Sequence, residues 1–175
     1  MEQAENRKLN LYIDHSQIIE RVREIASKIN QDYAGKTPIF IGILNGAFVF
    51  LSDLIREIKI DCEIDFLKLS SYGDSKISSG DITLLKELNC EIKGKDIIIV
   101  EDIIDSGLSI KYMKALIEKN NPSSLRIVTL LYKEETAKLD FEIDYIGFKV
   151  DNKFVVGYGL DYAQKYRNLK SIYML

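Results

Sequence analysis

Three carboxylates, Glu101, Asp102 and Asp105, fall within five positions, directly behind the apolar run Ile97-Ile98-Ile99-Val100 and directly ahead of Ser106, Gly107, Leu108 and Ser109. Acidic oxygens set this close are acceptors suited to sugar hydroxyls and to hard Mg²⁺ with its waters. The small, hydroxyl-bearing stretch that follows opens a helix. A helix N-terminus offers free N–H groups and a partial positive charge, which suits a phosphate dianion. Gly107 lets the backbone come close, and Ser106 and Ser109 can donate hydroxyls. The same residue types also build ordinary turns and caps. Three acids ahead of a phosphate-suited turn tip the balance toward a sugar-phosphate site. There is no P-loop lysine, and no G-x-G-x-x-G follows a strand, so neither common nucleotide fold is indicated.

Such a segment needs a scaffold, and the surrounding pattern provides one. Ile39 to Leu44, Ile97 to Val100 and Leu125 to Tyr132 are continuous apolar runs, as strands covered on both faces require. Between them, Ile18, Val22, Ile25, Ala26 and Ile29 recur at helical spacing with Ser16 as the expected cap. Phe48 to Ile58 reads as a helix, and Ile110, Met113, Leu116 and Ile117 mark another that Asn120-Asn121-Pro122 ends. Asp61 to Ser71 reads as a strand with Cys62, Ile64 and Phe66 alternating, and Ile82 to Leu85 as its return. Ile143 to Phe148 and Phe154 to Val156 read as short strands. Alternating strands and helices predict an α/β fold with a mainly parallel sheet and right-handed crossovers. Ligands then bind beyond the carboxyl ends of the strands, which is where the acids fall.

Composition narrows the function. The 24 basic and 27 acidic residues leave a net charge of −3, which gives no broad nucleic-acid footprint. Cys62 and Cys90 lack paired spacing and there is one histidine, His15, so a zinc site is not expected. No apolar run approaches a membrane span, and the polar stretch Met1 to Asn10 lacks a signal core. The expectation is a cytoplasmic protein, 1–175 forming a single domain, without internal repeat or linker.

Val100 to Ser109 resembles the donor-binding signature of the purine phosphoribosyltransferases. The order of the remaining features, from about Leu11 to Leu169, is similar to that of the hypoxanthine (hypoxanthine-guanine) group of that family. The resemblance implies the type I phosphoribosyltransferase fold with a small base-binding hood. It also implies 5-phosphoribosyl 1-pyrophosphate as donor, a purine base as acceptor, Mg²⁺ as cofactor, and a homodimer or homotetramer. On this resemblance Glu101 and Asp102 hold ribose hydroxyls and help organise the metal, with Asp161 joining through water. Asp105 is the catalytic acid that handles the proton on purine N7, and Asp105 to Ser109 cradle the 5-phosphate. Leu108 stands where some members carry Lys.

The resemblance also assigns residues outside the signature. Leu44-Asn45-Gly46 falls at the pyrophosphate loop, often with Lys in the middle and built around a non-proline cis peptide that turns backbone N–H groups to the anion. Ser71-Tyr72 begins a lid, through Gly80, that keeps water from a cation-like ribose centre. Lys133 donates to a purine 6-oxo group, Phe154 stacks on the base, Val155 reads its edge through the backbone, and Arg167 meets pyrophosphate. Taken without the resemblance, Asn45-Gly46 is a plain turn, Lys133 and Arg167 are surface charges, and Phe154 and Val155 belong to an ordinary buried strand. The implied function is purine salvage giving IMP, and GMP with guanine. Three other functions stay open: a transferase preferring xanthine or guanine, a regulatory RNA-binding protein on the same fold, which would need a basic surface, and a plain α/β domain that binds a sugar phosphate without catalysis.

Overall fold

The computed structural model describes residues 8–71 and 82–175. Its elements run β1 (Asn10–Ile13), α1 (His15–Asp32), β2 (Ile39–Leu44), α2 (Phe48–Glu57), β3 (Glu63–Ser71), β4 (Ile82–Lys86), β5 (Asp96–Ile104), α3 (Leu108–Glu118), β6 (Ser124–Tyr132), β7 (Tyr145–Lys149), β8 (Val155–Val156) and β9 (Ile172–Met174). Six strands form one sheet in the order β4-β3-β2-β5-β6-β7. All neighbours in it are parallel except β4, which returns antiparallel along β3. Strands β1, β9 and β8 form a second, antiparallel sheet, the counterpart of the expected hood.

The apolar runs sit in the middle of the large sheet because both of its faces are covered. Successive side chains of a strand point to opposite faces. Phe40, Ile98, Val100, Val128 and Leu130 therefore pack with Ile18, Val22, Ile25 and Ile29 of α1 and Phe50, Leu51 and Leu54 of α2. Ile39, Ile41, Ile97, Ile99 and Ile127 pack on the other face with Ile110, Met113 and Ile117 of α3.

Several local expectations change. The cap of α1 is Asp14 rather than Ser16: Asp14 accepts from the Ser16 N–H, and the Gln17 side chain accepts from the Asp14 N–H, a capping box. Helix α2 stops at Glu57, one residue early. At β3 both faces are covered: Cys62 and Phe66 pack against the core beside α1 and α2, as their alternation predicts, with Ile64 47% exposed on that face, while Asp65 and Leu67 are buried on the other. Asp65 is buried because it accepts from the backbone N–H groups of Phe66 (2.7 Å), Asn89 and Cys90 (3.1 Å) and pairs with Lys86 (3.3 Å). It ties the edge of the sheet to the chain leading into β5. Strands β1 and β9 have no expected counterpart, and Phe154 lies outside β8.

Candidate active site

Strand β5 runs four residues past its apolar stretch, so Glu101 and Asp102 are strand residues and inherit its alternation. Glu101 follows Ile97 and Ile99 toward α3, where it lines a hollow with Ile103, Ile104, Asp105, Ser106, Gly107, Ser109 and Ile110. Asp102 follows Ile98 and Val100 toward α2. It lines a second hollow with Leu44, Asn45, Gly46, Lys68, Leu69, Leu85, Asp161, Gln164 and Arg167. The two adjacent acids thus serve different halves of the site, an arrangement that their adjacency in sequence hides.

On the α3 side, Gly107 caps the helix at φ +85°, a left-handed conformation that glycine adopts without a steric penalty. A Cβ there would run into the side chain of Leu139. Gly107 itself offers no side-chain cap, and among the described residues only the Ser106 hydroxyl accepts from the first helical N–H, that of Leu108, at 3.4 Å, which leaves the other N–H groups of the first turn for an anion. Leu108 is 56% exposed. The segment after β6 braces this loop. The Lys138 N–H donates to the Ser106 carbonyl (3.2 Å). The Thr136 hydroxyl donates to the Asp105 carboxylate (2.9 Å) and to its carbonyl (3.1 Å).

Lys133, at the end of β6, is buried, at 6% exposure. Its ammonium lies 2.6 Å from Asp105 Oδ2 and 3.4 Å from Asn152 Oδ1. The reading of a lone surface lysine therefore falls, because a buried ammonium needs a charged partner and Asp105 is one. Phe154 is 54% exposed and meets Tyr162 edge-on at 5.8 Å, while Val155 is buried. The ordinary buried strand accounts for Val155 and fails for Phe154.

On the α2 side, the Leu44–Asn45 peptide is cis. Gly46 lies against Asp102 so closely that a Cβ would occupy the place of its carboxylate, and a Cβ on Gly159 would strike the Gly46 carbonyl. Arg167 holds the following loop together: it pairs with Asp161 (2.7 Å) and donates to the Gly159 carbonyl (2.8 Å) and to Gln164 (3.0 Å). Ser71 closes β3, and the lid expected from Tyr72 to Gly80 lies outside the described residues.

Electrostatically the strand end is tense. Burial, together with the charge of Asp102, pushes the Glu101 carboxyl well above its ordinary range. Burial pushes Asp102 up to about 6, against the Ile103 N–H and the charge of Arg167, which pull it down. Buried acids held neutral or paired with a cation are what such a position permits, and perturbed acids in a cleft mark a functional site.

The residues missed by sequence reasoning are Thr136, Asn152, Gln164 and Lys68. None stands in a local pattern. Each reaches the site through contacts made by the folded loops or by strand register.

The match to known proteins covers nearly the whole chain. The family model for the phosphoribosyl transferase domain matches residues 10–163. The hypoxanthine-guanine phosphoribosyltransferase of Bacillus subtilis is 44% identical over 163 residues, 93% of this chain and 91% of that one. The chain belongs to the hypoxanthine-guanine phosphoribosyltransferase family. The crystal structure of such an enzyme from Bacillus anthracis, with HEPES in its active site, superposes with a TM-score of 0.90. It shares 43% identity over 95% of this chain and 98% of that one. A hypoxanthine phosphoribosyltransferase from Staphylococcus aureus gives 0.90 at 39% identity, covering 95% and 90%. The bifunctional protein TilS/HprT of Listeria monocytogenes is 42% identical over 93% of this chain, which spans only 25% of that protein's length.

Membership in this family implies Mg²⁺, and the acids at the end of β5 fit it. Glu101 Oε2 is buried without a hydrogen-bond partner, and Asp102 offers a second hard oxygen at the neighbouring hollow. Among the described residues no three acidic side chains converge into a cation cage. Among the described residues no helix is long and apolar enough to cross a membrane.

Proposed function

We propose that this protein transfers the ribose 5-phosphate unit of 5-phosphoribosyl 1-pyrophosphate to hypoxanthine, and to guanine, releasing pyrophosphate with IMP or GMP. The observation that carries the reading is the Lys133–Asp105 pair, a buried ammonium 2.6 Å from a carboxylate on the phosphate-cradling loop. The ammonium can donate to a purine 6-oxo group. Adenine carries an amino donor at that position and would leave the charge facing hydrogens, a mismatch that specificity by hydrogen bonding rejects strongly.

In this reading the N-terminus of α3 and residues Asp105 to Ser109 hold the 5-phosphate. Glu101 and Asp102 accept from the ribose hydroxyls. Leu44-Asn45-Gly46 and Arg167 hold the pyrophosphate, Ser71 and Tyr72 belong to the lid, and Asp161 assists the metal through water. Phe154 stacks on the base and the Val155 backbone reads its edge. Bound Mg²⁺, near Glu101, Asp102 and Asp161, supplies charge neutralisation to the departing pyrophosphate. The base nitrogen attacks C1 from the face opposite the leaving group, and Asp105 takes or shares the N7 proton. No covalent enzyme intermediate is required. The same reading carries a cytoplasmic setting and a homodimer or homotetramer.

Pyrophosphate release from donor, Mg²⁺ and a panel of purines tests the reaction, with hypoxanthine and guanine expected to be active and adenine weak, and the relative rate with xanthine deciding the alternative base preference. Asp105→Asn is expected to lower kcat by about a hundredfold or more while donor binding survives. Release with no purine, or near-normal turnover in the variant, would refute the reading or the role of Asp105 respectively.

A further inference from the structure

The pyrophosphate loop carries Asn45 in its middle, so it brings no charge of its own. The hollow beside it is lined by two cations, Lys68 and Arg167, and two carboxylates, Asp102 and Asp161. Arg167 is already committed: its guanidinium pairs with Asp161 at 2.7 Å and donates to the Gly159 carbonyl and to Gln164. Lys68 is placed differently. It sits on β3 in direct register with Leu44, the residue that begins the loop on the neighbouring parallel strand. Lys86, its opposite number on β4, is engaged with Asp65 at 3.3 Å, whereas no carboxylate among the described residues pairs with Lys68. A trianionic group entering this hollow would meet one cation neutralised by its own acid and one free to bind.

We propose that Lys68 is the cationic ligand for the pyrophosphate group, delivered from the adjacent strand in place of a charge on the loop itself. The inference rests on the reaction proposed above and adds the residue that distinguishes this chain's anion site. Lys68 binds as a point charge, and its flexible stem lets it follow the anion from donor to product. Its effect is confined to the pyrophosphate half of the donor, because the hollow at Asp105 to Ser109 that takes the 5-phosphate lies on the α3 side of β5 and Lys68 does not line it.

The test separates binding from turnover. Mg²⁺-pyrophosphate is titrated calorimetrically into the wild-type protein, Lys68→Gln, Lys68→Arg, and Lys68→Gln combined with Asn45→Lys. Removing a charge-assisted hydrogen bond from a partly screened site weakens binding by about ten- to a hundredfold. Lys68→Gln is expected to weaken pyrophosphate by that factor and to raise the KM of the donor in parallel. The KM of hypoxanthine and the affinity for IMP should stay unchanged. Lys68→Arg is expected to retain most of the affinity, and Asn45→Lys to restore much of it by returning a charge to the loop. Equal pyrophosphate affinity in wild type and Lys68→Gln would overturn the proposal. So would an equal loss for IMP, or no pyrophosphate binding by the wild type. If Lys68→Gln weakens pyrophosphate while no purine is turned over, the anion site stands and the proposed reaction falls.

Discussion

Asp102→Asn separates what this carboxylate costs the fold from what it contributes to the site. Burial lifts the Asp102 carboxyl from an ordinary 3.8 to about 6. At about 1.4 kcal/mol for each tenfold change in proton affinity, that difference is ~3 kcal/mol. The sign follows from proton uptake. Between the two values the folded protein holds the proton that the unfolded chain releases, so stability falls as pH rises through this window and stays lowered above it. Asn carries no charge and can still accept the Ile103 N–H that now goes to Oδ1 at 2.9 Å. It also removes the negative charge that helps push up Glu101. At about pH 8 the variant is therefore expected to be more stable by up to ~3 kcal/mol, which for a chain of this size raises Tm by about 6–12 °C. Below about pH 4 the two proteins should converge. Thermal unfolding across this range, without metal, measures the gap. Repeated with Mg²⁺ and donor, it should show the wild type gaining stability and the variant gaining little, because ligand binding stabilises only a protein that binds. A variant no more stable than wild type at high pH, or a gain that does not change with pH, would refute the argument that buried charge is the cause.

Two further outcomes concern packing at the site and a buried acid far from it. Gly46→Ala puts a methyl group where the Asp102 carboxylate lies. It should cost ~1–3 kcal/mol of stability by overpacking and abolish pyrophosphate binding by displacing that acid, and calorimetric binding at wild-type strength would contradict it. Asp65 is the opposite case from Asp102: burial alone would raise its carboxyl, but the N–H groups of Phe66, Asn89 and Cys90 outweigh it and hold it below the ordinary range. Its stabilisation is therefore present above that range and lost as pH falls. Asp65→Asn should destabilise by about 2 kcal/mol at neutral pH, with the gap to wild type closing in acid unfolding measurements, and a gap independent of pH would count against it.

The parts of this fold legible in sequence are those whose pattern is local. Strands β2, β5 and β6 announce themselves as unbroken apolar runs because helices cover both of their faces, and α1 and α3 show their spacing for the same reason. The acids after Val100 are visible because three of them interrupt such a run. Strands β1 and β9 are not, since four and three residues of mixed polarity carry no period. Asp65 looks like the polar side of an alternating strand, yet its partners at Asn89 and Cys90 are supplied by chain more than twenty residues away. Lys133 reads as surface charge because its burial depends on where Asp105 lies in space. Thr136, Asn152 and Lys68 are ordinary residues in loops and on a strand, and only the folded arrangement brings them to the site. The cap at Asp14 is within reach of sequence reasoning, since Gln17 three residues later completes the capping-box spacing.

The alternation of β5 gives the acidic dipeptide a direction. The longer Glu101 reaches into the chamber built by α3, and the shorter Asp102 fits the slot left by a residue with no side chain, Gly46. Exchanging the two would preserve charge, composition and strand length while placing an extra methylene in the slot and withdrawing one from the chamber. Handedness along the strand, and not acidity alone, is what this pair encodes.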